Sequence, residues 1–218
     1  MLRKLICLIP GLPLIVLLLH TTLRVIRCFY KFSMPQFLAN LIDNPFRRKI
    51  QPPRDMPLRH GIEPGMTVLE VGPGNGRYTI ETARRVGSTG KVIAVDIEPR
   101  MIERVVQRAQ AEGVTQIEAK VANVYDLPFE AGTFDAVYLI TVISEIPEPE
   151  RALREFYRVL SPAGTLAFSE MLTDPDYPRA RTLIRLAAAA NFRLKKKIGN
   201  FFAYTLVFEK QVNSAPLA

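Results

Sequence analysis

The order of apolar runs and helical patterns in residues 61–218 predicts an α/β domain, with crossover helices on a largely parallel sheet, behind a hydrophobic N-terminal segment. Three observations carry this. Short runs rich in Val, Ile and Leu alternate with stretches of helical period, and strands covered on both faces read as such runs. The first of these runs ends in a glycine-rich turn that leads directly into a helix. The length of 218 residues suffices for one domain of this kind with an appendage, and is short for two.

Taken in order, Thr67–Val71 reads as the first strand, 78–86 as a helix and 91–95 as the second strand. Residues 99–112 form a helix with Met101, Val105 and Ala109 on one face, and 117–122 a third strand. Phe134–Ile140 is the fourth strand, 149–160 a helix, 165–169 the fifth strand and 179–190 a helix. Residues 192–198 and 201–209 close the pattern as a pair of strands.

Charge separates the chain into parts. The net charge is +8, and residues 1–60 hold ten Lys/Arg against Asp43 and Asp55, whereas residues 61–218 hold nineteen of each sign. An anionic surface is the expected partner of the N-terminal quarter, and a nucleic-acid-binding domain is disfavoured by the neutral remainder. Cys7 and Cys28, with His20 and His60, supply neither a disulfide framework nor metal-ligand spacing.

Residues 5–23 carry no charge, and 5–19 are almost wholly apolar, interrupted by Pro10, Gly11 and Pro13. A helix of this length approaches the thickness of a bilayer core, about 30 Å. No small-x-small cleavage site follows, which argues against a removed leader. Residues 1–30 are therefore expected to attach the chain to a membrane, by spanning it or by lying in one leaflet. Arg24, Arg27, Lys31 and Arg47-Arg48-Lys49 outnumber Arg3 and Lys4, placing the domain on the cytoplasmic side. Residues 31–60 read as a bridge: a short amphipathic helix over 34–42, then an irregular basic stretch punctuated by Pro45, Pro52, Pro53 and Pro57. This bridge is a candidate cover for the substrate.

The chemistry begins at Val68-Leu-Glu-Val-Gly-Pro-Gly-Asn-Gly76. Glycines at 72, 74 and 76 let the backbone approach a ligand closely, a pattern that by itself fits a dinucleotide equally well. Glu70, two positions before the first glycine, would repel a pyrophosphate and favour a sulfonium and an α-ammonium. Asp96 ends the second strand, placed to hold two ribose hydroxyls or to cap the helix that starts near Pro99.

These residues resemble motif I of class I S-adenosylmethionine-dependent methyltransferases. Val95-Asp-Ile-Glu-Pro-Arg-Met101 resembles the family's next motif, Asp126-Leu-Pro-Phe129 with Gly132-Thr-Phe-Asp135 the one after, and Arg158-Val-Leu-Ser-Pro-Ala-Gly-Thr165 the last. The similarity spans residues 61–210 and is strongest to the ubiquinone/menaquinone-biosynthesis and small-molecule or lipid branch. It implies a Rossmann-like seven-stranded sheet of order 3-2-1-4-5-7-6, its last strand antiparallel, and S-adenosylmethionine as cofactor. By the same resemblance Glu70 lies near the methionine end, and Gly72, Pro73, Gly74, Asn75 and Gly76 close over the donor. Asp96 takes the ribose, Ile97 lies against the adenine, and Asn123 and the Val124 backbone recognise its edge. Ile140 and Thr141 line the methionine side. Asn123 stands where the family commonly has Asp, and Ala163 where it usually has a second glycine.

Methyl transfer from a sulfonium needs positioning and desolvation more than a nucleophilic side chain. Glu145, on the loop after the fourth strand, is the candidate base for an acceptor that must lose a proton; Tyr30, Tyr138 and Tyr177 are further candidates to touch it. About eight residues (171–178) separate the fifth strand from the next helix, too few for an inserted cap. The cover then falls to residues 31–60, which points to a lipophilic acceptor: a lipid head group, a quinone or an isoprenoid-like ring. A soluble metabolite, or a catalytically silent scaffold that only binds the donor, is the competing expectation. A nicotinamide-dependent reductase is disfavoured by Glu70 and by the lack of a Tyr-x-x-x-Lys pair. Oligomeric state is not legible.

Overall fold

In the computed structural model, which describes Thr22 and residues 45–211, the domain opens with two short helices, α1 (Pro45–Ile50) and α2 (Met56–Arg59). The stretch expected to be irregular is so only in part: Pro52 and Pro53 lie in the turn between the helices, whereas Pro45 begins α1 and Pro57 lies in the first turn of α2, where the missing N–H costs nothing. Both helices are packed in, with Arg47, Gln51, Met56 and His60 buried.

The alternating units follow: β1 (Thr67–Val71), α3 (Arg77–Val86), β2 (Lys91–Asp96), α4 (Pro99–Ala111), β3 (Ile117–Val121) and β4 (Phe134–Ile140). A 3₁₀ turn (Ile143–Glu145) leads to α5 (Pro149–Val159), β5 (Leu160–Met171), α6 (Ala180–Ala189), β6 (Phe192–Gly199) and β7 (Ala203–Lys210). The seven strands lie in the order β3-β2-β1-β4-β5-β7-β6. All neighbours are parallel up to β5, and β7 runs antiparallel between β5 and β6. Both the fold and the strand order expected from the resemblance are found.

β5 is longer than the expected 165–169. It begins at Leu160, opposite Phe134, and the register then slips so that Thr165 faces Ala136. At its other end it runs past Ser169 to the buried Glu170 and Met171. A slip and a terminal carboxyl both break the apolar pattern by which a buried strand is recognised.

Two apolar layers sandwich the sheet. One gathers Leu69, Val137, Leu139, Phe156, Phe168 and Phe208 under α5 and α6; the other gathers Met56, Ile62, Val68, Ala83, Val92 and Val207 under α2 and α3. α2 is held to its layer by His60, whose Nε2 is 2.8 Å from Ser169 Oγ, itself 2.8 Å from Thr205 Oγ1. The imidazole stacks on Tyr138 at 4.8 Å between ring centroids, and Tyr138 bonds Thr82 at 2.9 Å. Among the described residues no helix is long and apolar enough to cross a membrane. The apolar run 5–19, the expected helix 34–42 and Tyr30 lie outside them.

Burial, with the Arg59 charge second, lowers the His60 pKa from 6.5 to about 3. Because the folded pKa is depressed, this histidine contributes stability that is whole above pH 6.5 and is lost as pH falls from there toward 3. The full window amounts to roughly 4–5 kcal/mol. Denaturant midpoints measured across that range are expected to decline by one proton's slope. In His60→Gln that component of the slope should vanish, whatever the variant's stability at neutral pH.

Candidate active site

Every sequence-predicted donor residue lies at the carboxyl ends of β1, β2, β3 and β4 or just beyond, where parallel strands leave a crevice. Glu70 is the centre of it. β1 lies between β2 and β4, with Glu70 paired to Ala94 on one side and Tyr138 on the other. The residue is 3% exposed, and its Oε2 is buried with no hydrogen-bond partner. Burial raises its pKa from 4.5 to about 7; the Thr79 and Tyr138 hydroxyls offset part of this and the Asp96 charge adds to it. A half-ionised carboxyl with an unsatisfied oxygen, deep in a parallel sheet, fits a cationic ligand better than a packing role.

The three glycines of the turn do different things. All have positive φ: +69° at Gly72, +57° at Gly74 and +76° at Gly76. A Cβ on Gly72 would stand 2.5 Å from Val142 Cγ2, and one on Gly76, the N-cap of α3, 3.2 Å from the Val105 backbone. One on Gly74 would meet nothing within 4 Å. Gly72 and Gly76 are thus required by packing, whereas Gly74 opens toward free space. Pro73 accepts from Gly76 N–H at 3.0 Å and the Asn75 side chain from Arg77 N–H at 3.2 Å, closing the turn internally.

Asp96 Oδ1 accepts from Glu98 N–H at 2.9 Å in a local turn; the N-cap of α4 is Glu98, without a side-chain cap, so Asp96 does not cap the helix. Its pKa is raised by burial and the Glu98 charge, the Glu98 and Ile97 backbone N–H groups working the other way. Next to it Ile97 is 63% exposed, an apolar side chain facing solvent beside a carboxylate. Asn123 Oδ1 accepts from Tyr125 N–H at 3.0 Å, which leaves one lone pair for another donor. Val124 packs partly into the core. Ile140 is buried, and Thr141 holds φ +56°, a strained conformation for a β-branched residue.

Thr141 leads to residues that the sequence did not single out. Arg47 of α1, 6% exposed, donates from Nη2 to Thr141 Oγ1 at 2.6 Å. Glu170, at the end of β5, is 1% exposed with Oε1 buried and without a partner. Burial and the Asp174 charge push its pKa well above the carboxylate range; Arg47 opposes this, and Glu145 and Asp176 reinforce it. Glu145, on the 3₁₀ turn, is therefore brought toward Glu170, Asp174, Asp176 and Arg47. Nothing in the local pattern announced Arg47, one of three consecutive basic residues. Glu170, a carboxylate directly after a buried strand, was a readable signal. Tyr138 and Tyr177 are buried: the first serves the His60 stack, and the second donates to the Phe201 carbonyl.

The fold is that of the class I S-adenosylmethionine-dependent methyltransferases, and residues 69–168 match the family described as a methyltransferase domain. More particularly, the chain is similar to the ubiquinone/menaquinone biosynthesis C-methyltransferase UbiE of Escherichia fergusonii, 34% identical over 147 residues, 66% of this chain and 56% of that one. The protein of the same name from Salmonella paratyphi B matches to the same extent. The chain thus spans a little over half the length of these curated relatives. Among solved structures, a SAM-dependent methyltransferase from Aquifex aeolicus has a TM-score of 0.76 at 22% identity, covering 81% of this chain and 99% of its own. The [4+2]-cyclase SpnF has a TM-score of 0.65 at 18% identity, covering 75% and 81%.

The donor supplies an electrophilic methyl group already activated by its sulfonium charge. The orphaned Glu70 oxygen, the open space over Gly74, Asp96 and the exposed Ile97 are compatible with its charge, bulk, ribose and base.

Two measurements check this geometry. Gly72→Ala should lower stability by about 2 kcal/mol or more through its clash and its φ. Gly74→Ala should lower it by only about 1 kcal/mol yet impair donor uptake, as melts and calorimetry on one pair of variants would show. Separately, a cationic donor prefers the ionised form of Glu70, so affinity should fall below pH 7, by up to about tenfold per unit. Titrations in buffers of different ionisation enthalpy should register proton release at about pH 6 and little at about pH 8, and Glu70→Gln should abolish the difference.

Proposed function

We propose that this chain methylates a lipophilic small molecule, a quinone or isoprenoid-like ring or a lipid head group, at a membrane to which residues 1–60 attach it from the cytoplasmic side. The observation that carries the reading is Arg47. Residues 45–60 pack on the domain and set the Arg47 guanidinium on Thr141, which this reading puts at the methionine end of the donor crevice. The wall beside the acceptor is thereby built from the segment nearest the membrane. The connection from β5 to α6 adds only a short loop. The printed name of the UbiE relatives, which refers to quinone biosynthesis, supports a ring acceptor.

In this reading Glu70 and Asp96 grip the two ends of the donor, and Gly72, Pro73, Gly74, Asn75 and Gly76 line its middle. Ile97, Asn123 and Val124 take the adenine, and Ile140 and Thr141 the methionine side. Glu145 is the candidate proton acceptor. Glu170, whose burial favours its protonated form, donates a hydrogen bond to an acceptor oxygen, and Arg47 balances the negative charge left there when Glu145 takes the acceptor's proton, a charge that the incoming methyl group then consumes.

A donor carrying an isotopically labelled methyl group, incubated with the protein and a membrane extract, should place the label in a lipophilic species heavier by one CH₂. Mass spectrometry with and without Asp96→Ala checks it. Full turnover on a polar metabolite, unchanged by deleting residues 1–30, would overturn the lipophilic reading.

A further inference from the structure

The zero net charge of residues 61–218 is an average over two opposed blocks. Residues 61–178 carry a net −7, while residues 179–201 carry seven basic side chains and no acidic one. These are Arg179, Arg181 and Arg185, at the start of and within α6, and Arg193, Lys195, Lys196 and Lys197 on β6; all seven are exposed. Arg193 is paired with Glu209 of β7, the one acidic partner on that strand. Because β6 is the last strand of the sheet and α6 packs against it, the fold gathers a block contiguous in sequence onto one side of the domain.

This side meets the acceptor end of the site. Met171, at the end of β5, pairs with Ala203, and Leu172 N–H donates to the Phe202 carbonyl at 2.8 Å, so the β6–β7 turn stands beside the exit of β5. On that turn Phe201 is 68% exposed, the most exposed of the large apolar side chains among the described residues. Phe46 of α1, 54% exposed, is carried alongside by an edge contact between its ring and that of Phe202, 6.1 Å between centroids. The exposed Arg48 and Lys49 follow Phe46 on α1.

Lysines on an edge strand commonly serve only to keep the edge from pairing with another chain. That purpose does not explain three further arginines on the adjoining helix segment, nor two phenylalanines presented to solvent at the same end. Exposed aromatic tips flanked by cations are the composition of surfaces that rest in the head-group layer of an anionic bilayer.

We propose that the β6 edge, the β6–β7 turn and α1 form a second membrane contact, distinct from residues 1–44, which seats the acceptor side of the site on anionic lipid with Phe201 and Phe46 inserted. The inference rests on the lipophilic-acceptor reading, and it explains how a ring would pass from the bilayer to Arg47 and Glu170 without crossing water. The charge segregation orients the domain: its basic side faces the lipid and its acidic remainder points away.

The 218-residue sequence has no tryptophan, so Phe201→Trp creates a single fluorescent reporter. With vesicles of phosphatidylcholine and phosphatidylglycerol its emission should shift to the blue and be quenched by brominated acyl chains. Pure phosphatidylcholine should leave it unchanged. The control Val106→Trp, a partly exposed position on α4, should remain unquenched in both. Replacing Lys195, Lys196 and Lys197 by Gln in the reporter chain should raise the lipid needed for half-maximal quenching by about tenfold or more. A chain that sediments with anionic vesicles while the reporter stays in water would overturn the proposal, since residues 1–44 alone would then hold it. So would quenching indifferent to lipid charge or to the lysines, or a response to oligonucleotide and not to vesicles. Methyl transfer to an acceptor dispersed in detergent is read separately: its absence sinks the acceptor reading, whereas its presence with a solvent-exposed reporter sinks only the docking face.

Discussion

Glu70 is buried in an interior strand of a sheet that offers it neither a cation nor a full set of donors. A carboxyl there is costly in either state: ionised, it lacks compensation, and protonated, it still leaves Oε2 unmatched. The rest of the crevice makes sense as an answer to that cost. The turn after it is kept thin by glycine, Asp96 stands at the end of the next strand, and an apolar side chain lies exposed between solvent and cleft. A ligand with a positive centre, a ribose and a flat base would meet the orphaned Glu70 oxygen, Asp96 and the exposed Ile97 together.

A second constraint operates on the other side of β4. Thr141 is held at positive φ by the bond of its N–H to the Ser169 carbonyl, 2.9 Å, while its hydroxyl takes the buried Arg47. The strain is thus tied both to the sheet and to the segment that precedes the domain. α1 and α2 are not an accessory to the fold: Met56 and His60 complete one apolar layer, and Arg47 reaches the end of β4 through Thr141.

Fold resemblance alone does not decide what such a crevice does; a cyclase shares this architecture at a TM-score of 0.65. The distinction lies in the side chains around the crevice, among them the buried Arg47 and Glu170 near the end of β4.

The donor side was legible in the sequence, because it is built from short contiguous motifs whose backbone needs are met by glycine and whose acids stand at strand ends. Glu70, Asp96 and the three glycines could be expected at neighbouring strand ends, where the structure gathers them, and the strand order was implied by the family resemblance that four motifs carry. What spacing could not separate was the work of the glycines: Gly72 answers to Val142 and Gly76 to Val105, seventy and twenty-nine residues onward. The acceptor wall was not legible at all as a unit. Arg47, Thr141 and Glu170 are brought together by a sheet that sets β4 beside β5 and by a helix returning over their ends. The balanced charge of the domain likewise concealed its polarity until topology placed β6 at the sheet's edge. Local pattern determined the elements and the donor turn because those depend on neighbours in the chain; contacts between distant segments, and which side a charge faces, depend on the closed sheet and were decided only there.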